Sequence, residues 1–257
     1  MSAPIRSRDN PTFKRLKRLA SSARARRAAQ RTLLDGEHLL AAYLAAGGQP
    51  QTLIRPASRA ADEGGPCAAA KCLVLDDALF AELSPVATPT GVLAEVAWLA
   101  PQPVPGTPLV AVLEDIQDPG NLGAMLRTAA AAGATRAILS RGCHDPWSPK
   151  ALRGGQGAQF VLPLDVNVDL AAWLGSFDGS TVALALGEPV DLYAGDFTGP
   201  VAFVVGNEGA GLSRAVATAA RVRAQIPMPG RVESLNAAAA LAVAVFEAVR
   251  QRRSRVA

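Results

Sequence analysis

Short, continuously apolar runs alternate along this chain with longer stretches whose apolar residues recur at helical spacing. The segments LVAVLE (109–114), AILS (137–140), VLPLDV (161–166), TVALAL (181–186), VAFVVG (201–206) and VRAQI (222–226) predict strands. NLGAMLRTAAAAG (121–133), DLAAWLGSF (169–177), LSRAVATAA (212–220) and NAAAALAVAVFEAVRQRR (236–253) predict helices, with a loop and a turn of helix through Pro149 and Arg153. Strands without polar alternation, interleaved with helices, predict an α/β fold whose parallel sheet is covered on both faces. Upstream the pattern is shorter. Phe13, Leu16 and Leu19 recur every three residues between Lys14, Arg15, Lys17 and Arg18, which predicts a helix docked through one face. Residues 33–44 predict an entry turn at Asp35-Gly36 and an amphipathic helix ended by Gly47-Gly48; apolar runs at 52–54 and 72–75 predict strands of a small α/β unit. Pro101, Pro103, Pro105 and Pro108 fall within eight residues, a density that no helix or central strand tolerates. Residues 101–108 therefore predict a stiff linker between a domain at 1–100 and another at 109–257.

Composition narrows the class. With 49% hydrophobic and 19% charged residues, the chain can bury a core, which excludes a disordered protein. The longest clean apolar stretch, Ala237 to Phe246, has ten residues, about half a bilayer span, so no membrane crossing is expected. Three cysteines (Cys67, Cys72 and Cys143) are too few for a disulfide framework, and a reducing, cytoplasmic setting is expected. No apolar core of a secretory signal follows the first charges.

The net charge of +4 conceals an asymmetry: residues 1–31 hold ten Lys/Arg against one acid, Asp9. The remaining residues carry 16 basic and 21 acidic groups, a balance of −5. A basic segment on a mildly acidic body suits a polyanion such as RNA, although a solvated charged face would carry the same residues.

Three polar, glycine-bearing loops interrupt the apolar framework, each at the C-terminal end of a predicted strand, where open α/β sheets bind ligands. The first runs from Glu114 to Asn121 and into a helix carrying Arg127, with Asn121 as the expected N-cap. The second holds Gly206, Asn207, Glu208, Gly209 and Gly211; its spacing is G-x-x-G-x-G rather than the dinucleotide G-x-G-x-x-G, and Met228 stands about where a ribose-binding acid would be. A tight strand-to-helix turn explains its glycines but not Glu208. The third, Ile226 to Asn236, ends on the longest helix with two good capping residues, Ser234 and Asn236. Other chemistries lack parts: His38 and His144 are the only histidines, so neither a Ser-His-Asp triad nor a multi-histidine metal site is expected.

In order, DPGNLGAMLRTAAAAGA, FVVGNEGAGLS and IPMPGRVESLNAAAALAVAVFEA resemble the three signature motifs of the SpoU (TrmH-like) RNA 2′-O-ribose methyltransferases of the SPOUT superfamily. SPKALRGGQGAQFVLPL (148–164) is similar to the family's intermediate segment, and NPTFKRLKRL and LLDGEHLL resemble its small substrate-binding domain. The resemblance implies a SPOUT-type α/β domain with a deep trefoil knot, S-adenosylmethionine bound in the knot, ribosomal or transfer RNA as substrate, and a homodimer with its site at the subunit interface. The implied catalytic set is Asn121, Arg127, Glu208, Ser234 and Asn236. The implied cofactor contacts are Leu186, Gly206, Asn207, Gly211, Ile226, Met228 and Leu235, and the implied RNA contacts Lys14, Arg15, Lys17, Arg18 and Arg153. No metal is implied. One departure stands out: after Ser-Leu-Asn the family often has Val-Ser, whereas this chain has Ala237-Ala238. A guanidinium has no acceptor and stays protonated, so Arg127 fits a phosphate clamp better than a general base. A catalytically silent RNA-binding protein on the same scaffold is the alternative, and the intact Asn121, Arg127, Glu208 and Asn236 argue against it.

Overall fold

The computed structural model describes residues 3–60, 70–86, 89, 91–102, 105–186 and 190–254. Its first elements are α1 (Pro11–Ser21), α2 (Ala23–Ala29), β1 (Arg31–Asp35), α3 (Glu37–Ala45), β2 (Thr52–Pro56), β3 (Lys71–Leu75), α4 (Asp77–Leu83) and β4 (Leu93–Ala97). Next come β5 (Leu109–Leu113), α5 (Pro119–Ala131), β6 (Arg136–Ser140), α6 (Pro149–Gly155), β7 (Leu164–Val168), α7 (Leu170–Ser176) and β8 (Ser180–Leu184). The chain then forms β9 (Val190–Asp191), β10 (Val201–Val205), α8 (Arg214–Ala219), β11 (Val222–Gln225) and α9 (Ala237–Ser254). They divide into two compact units, one of residues 1–100 with 145–160, the other of 101–144 with 161–257.

The first unit is a four-stranded sheet in the order β1-β4-β2-β3, with β4 antiparallel to both neighbours and β2 parallel to β3. Alternating side chains feed two cores, as strand geometry requires. Leu33 and Ile54 join Phe13, Leu16 and Leu19 of α1 and Leu79, Phe80 and Leu83 of α4. Leu34 and Leu53 point the other way, toward Leu39, Leu40 and Tyr43 of α3 and toward Trp147, Leu152 and Phe160. By packing, 145–160 thus belongs to this unit although it lies beyond the linker in sequence. Buried Arg26 fixes the same segment: its Nε donates to Asp145 Oδ2 at 2.7 Å, and its Nη1 donates to the Leu19 carbonyl at 2.7 Å. Two strands differ from the sequence reading. Residues 31–35 form β1, which the sequence reading lacked and which takes in Asp35 of the expected Asp35-Gly36 turn, and 93–97 forms an inner strand, β4, around a polar residue, Glu95. Glu95 is only 1% exposed and tolerates that place because Arg15 and Arg31 both bind its carboxylate.

The second unit is a seven-stranded, wholly parallel sheet among the described residues, in the order β7-β6-β5-β10-β8-β11-β9. The strands β5 and β10 are buried along their whole length, which is why they read as unbroken apolar runs. One face packs Val110, Val112, Ala202 and Val204 against Leu170 and Leu174 of α7 and Val216 of α8. On α9, Leu241, Ala244, Val245 and Ala248 are buried, and the helix packs against α5, β5 and β10. Neighbouring β5 and β10 belong to separate halves of the chain, so the sheet order reverses between them; in open parallel sheets ligands bind at the C-terminal edge beside such a switch.

Candidate active site

The loops after β5, β10 and β11 all leave the sheet at that C-terminal edge. In the first, Asp118 rather than Asn121 caps α5: its Oδ1 accepts from the Asn121 N–H at 2.7 Å, and Pro119 takes the first helical position. A cap three residues earlier leaves the Asn121 side chain free for other partners. Its Nδ2 donates to Glu208 Oε1 at 2.9 Å, and its Oδ1 accepts from Asn236 Nδ2 at 3.3 Å. Asn236 is the residue that caps α9, its Oδ1 accepting from the Ala238 N–H at 2.9 Å. One chain of hydrogen bonds therefore joins all three loops. Ser234 is exposed and makes no hydrogen bond among the described residues. Arg127, within two turns of the start of α5, is exposed, and its guanidinium is unpaired among the described residues.

The second loop is held by its own backbone. Asn207 and Gly211 exchange both N–H···O bonds at 3.0 and 2.9 Å, and Gly211 adopts a φ of +69°. The Asn207 Oδ1 accepts from the Gly209 and Ala210 N–H groups at 2.9 and 3.0 Å, while its Nδ2 donates to the Asp115 carbonyl at 2.8 Å. At Gly206 a Cβ would lie 2.4 Å from the Gly211 carbonyl, so only glycine fits where the turn folds back. The buried Glu114 accepts from the Ser213 N–H at 2.8 Å and ties the first loop to the start of α8.

The loops after β8, β10 and β11 and the start of α9 line a cavity of about 610 Å³. All seven expected cofactor contacts line it: Leu186, Gly206, Asn207, Gly211, Ile226, Met228 and Leu235. Glu208, Ser234 and Asn236 line it too, whereas Asn121 and Arg127 do not. The strand ends Leu184 and Val205 and the helix residues Ala237 and Ala240 also line it; they read in sequence as ordinary core. Burial pushes the Cys143 thiol up from its ordinary value, so it stays protonated; Cys72 is exposed, and Cys67 lies outside the described residues.

The model of the SpoU rRNA methylase family matches residues 108–246, and that of the MRM3-like substrate binding domain matches 10–94. The chain belongs to the SpoU rRNA methylase family. Among its relatives is an uncharacterized tRNA/rRNA methyltransferase of Synechocystis, slr1673, 33% identical over 97% of this chain and 94% of that protein. The 23S rRNA (guanosine-2′-O-)-methyltransferase RlmB of Xylella fastidiosa is 43% identical over 57% of this chain and 60% of its own length. The SpoU methyltransferase AviRb of Streptomyces viridochromogenes, solved in complex with the cofactor AdoMet, superposes with a TM-score of 0.80 at 28% identity, covering 95% of this chain and 100% of that one.

In this SpoU family member most of the cations expected at RNA are engaged within the protein. Lys14 pairs with Asp9 at 2.7 Å, Lys17 with Glu82 at 2.8 Å, and Arg15 binds Glu95 through both terminal nitrogens. Arg18 is exposed, with no side-chain partner among the described residues; Arg24 and Arg27, which the sequence reading did not single out, share that condition. Arg153 is exposed on α6, in the first unit.

Proposed function

We propose that this protein transfers a methyl group from S-adenosylmethionine to a ribose 2′-hydroxyl of ribosomal or transfer RNA. The observation that carries the reading is the Asn236–Asn121–Glu208 hydrogen-bond chain at the rim of a cavity of ligand size. That cavity suits the cofactor. Its volume lies within the range of small-molecule sites, and Leu186, Met228 and Leu235 give it apolar surface for a purine face. Its glycine-bearing turn, closed to a Cβ at Gly206, lets backbone approach a ligand closely. When bound, S-adenosylmethionine supplies an electrophilic methyl on a sulfonium.

The chain's own residues then have separable tasks. Asn121 holds the Glu208 carboxylate in place, so Glu208 is the group positioned to take the proton from the 2′-hydroxyl. Arg127, a donor with no partner among the described residues, clamps an RNA phosphate and steadies negative charge developing on the ribose oxygen. Ser234 and Asn236 supply hydrogen bonds toward the ribose. We further propose that the C-terminal chain is threaded as a trefoil knot, that two copies pair with the site at their interface, and that the protein acts in the cytoplasm. The exposed Leu186 and Leu235 at the cavity, Val232 in the loop after β11 and Phe246 on α9 offer apolar surface for such a pairing. Among the described residues no helix is long and apolar enough to cross a membrane. Mapping 2′-O-methyl positions in total RNA from cells with and without the protein tests the reading. One or a few sites lost in its absence are expected; an identical map in both would refute it.

A further inference from the structure

Asp115, the residue after buried Glu114, is exposed yet holds a φ of +53°, in the left-handed region that few non-glycine residues adopt. Two contacts maintain it. The Ser140 hydroxyl donates to Asp115 Oδ1 at 2.5 Å and accepts from the Asp115 N–H at 2.8 Å, so one side chain grips this residue at both ends. Across from them Gly142 leaves the space the carboxylate occupies: a Cβ there would lie 2.1 Å from Asp115 Oδ1. The strained residue turns its carbonyl toward the second loop, where it accepts the Asn207 Nδ2–H at 2.8 Å. Asn207 in turn holds the Gly209 and Ala210 N–H groups and lines the cavity.

We infer that Ser140 and Asp115 are positioning residues for the cofactor cavity, acting through Asn207 to fix the 207–211 turn that forms one wall. This rests on the proposed use of the cavity by S-adenosylmethionine. Backbone strain that persists at an exposed position signals that surrounding contacts over-determine it. Here those contacts lead from the end of β6, through the loop after β5, to the loop after β10. A residue needed only to close its own turn would not require a carbonyl aimed at a second loop.

The test is calorimetric binding of S-adenosylmethionine and of S-adenosylhomocysteine to the full chain, together with the thermal midpoint and RNA affinity of each variant. Ser140→Ala and Asp115→Ala should each weaken binding of both ligands about tenfold, the loss expected when one well-placed hydrogen bond is removed. Asp115→Asn, which tolerates the left-handed region and keeps an acceptor for Ser140, should stay within about twofold of the wild type. RNA affinity should change little; the midpoint should fall by a few degrees, and further for Asp115→Ala, since alanine is strained at a positive φ. In an Asn207→Ala background, Ser140→Ala should have almost no further effect, because coupled residues do not add. Unchanged affinity in Ser140→Ala and Asp115→Ala, full additivity with Asn207→Ala, or a loss of RNA affinity as large as the loss of cofactor affinity would each overturn the inference. A wild type that binds neither ligand would instead refute the functional reading on which it rests.

Discussion

Asn121 uses both ends of its amide, donating to Glu208 and accepting from Asn236, and so orders the two groups nearest the proposed chemistry. Arg127 on the same helix has no side-chain partner among the described residues, which is the state expected of a cation reserved for an external anion. Its contacts are assigned to RNA and not to the cavity, so Arg127→Ala should remove methyl transfer while S-adenosylmethionine affinity stays within about twofold, less than one hydrogen bond's worth. Calorimetry on the variant checks this; loss of cofactor binding along with activity would place Arg127 in the architecture of the cavity. At this scale the sequence was informative about identity and less so about geometry. Asn121, Glu208 and Asn236 stood out as polar residues in loops between apolar runs. That Asp118 and not Asn121 caps α5 was not legible, because both residue types cap helices well and only the position of Pro119 separates them. The gripping of Asp115 by Ser140 joins residues 25 apart, beyond any local pattern.

Among the elements, α1 shows why a basic segment is hard to read. Its docking face was plain from Phe13, Leu16 and Leu19, all buried, yet two of the four cations between them are consumed by distant acids, Lys17 by Glu82 65 residues away and Arg15 by Glu95 80 residues away. The strand β4 was missed for the converse reason: its central Glu95 looks polar until its arginine partners are known. Burial pushes the Glu95 carboxyl up, but the Arg15 hydrogen bonds and the charges of Arg15 and Arg31 outweigh it and hold it below its ordinary value. A lowered folded value stabilises the protein above the unfolded value, about 4.3, and the contribution is lost as pH falls through the folded value. Glu95→Gln should therefore cost about 1.5–3 kcal/mol at neutral pH, and the deficit should shrink as pH drops below about 4. Chemical denaturation of both proteins at several pH values measures it. Free cations should also be the ones that feel RNA. Replacing Arg18, Arg24 and Arg27 by Ala should flatten the log–log salt slope of RNA binding by roughly 2 to 3 units, whereas replacing Lys14, Arg15, Lys17 and Arg18 should flatten it by only about 1. RNA affinities over a range of salt concentrations distinguish the two; a larger effect from the second set would mean those ion pairs open to bind.

At the scale of the whole molecule, the alternation of apolar strands with helices was enough to give a parallel α/β sheet with its loops gathered at one edge. The place of residues 145–160 was not legible, since a segment that leaves one compact unit to pack in another carries only an ordinary apolar pattern, here Trp147, Leu152 and Phe160. The proposed pairing of two copies predicts a dimer by light scattering at assay concentration, and full activity from a monomer would defeat it. The proposed chemistry delivers the methyl to a ribose 2′-oxygen. It is tested most directly by incubating the protein with unmodified 23S rRNA and S-adenosylmethionine labelled in the methyl group, then hydrolysing the RNA in alkali. Alkaline cleavage needs a free 2′-hydroxyl beside the phosphate, so a 2′-O-methylated linkage survives. Label is expected in alkali-resistant dinucleotides, and none with Arg127→Ala; label recovered in mononucleotides carrying a methylated base would mean that the acceptor is a base and not the ribose.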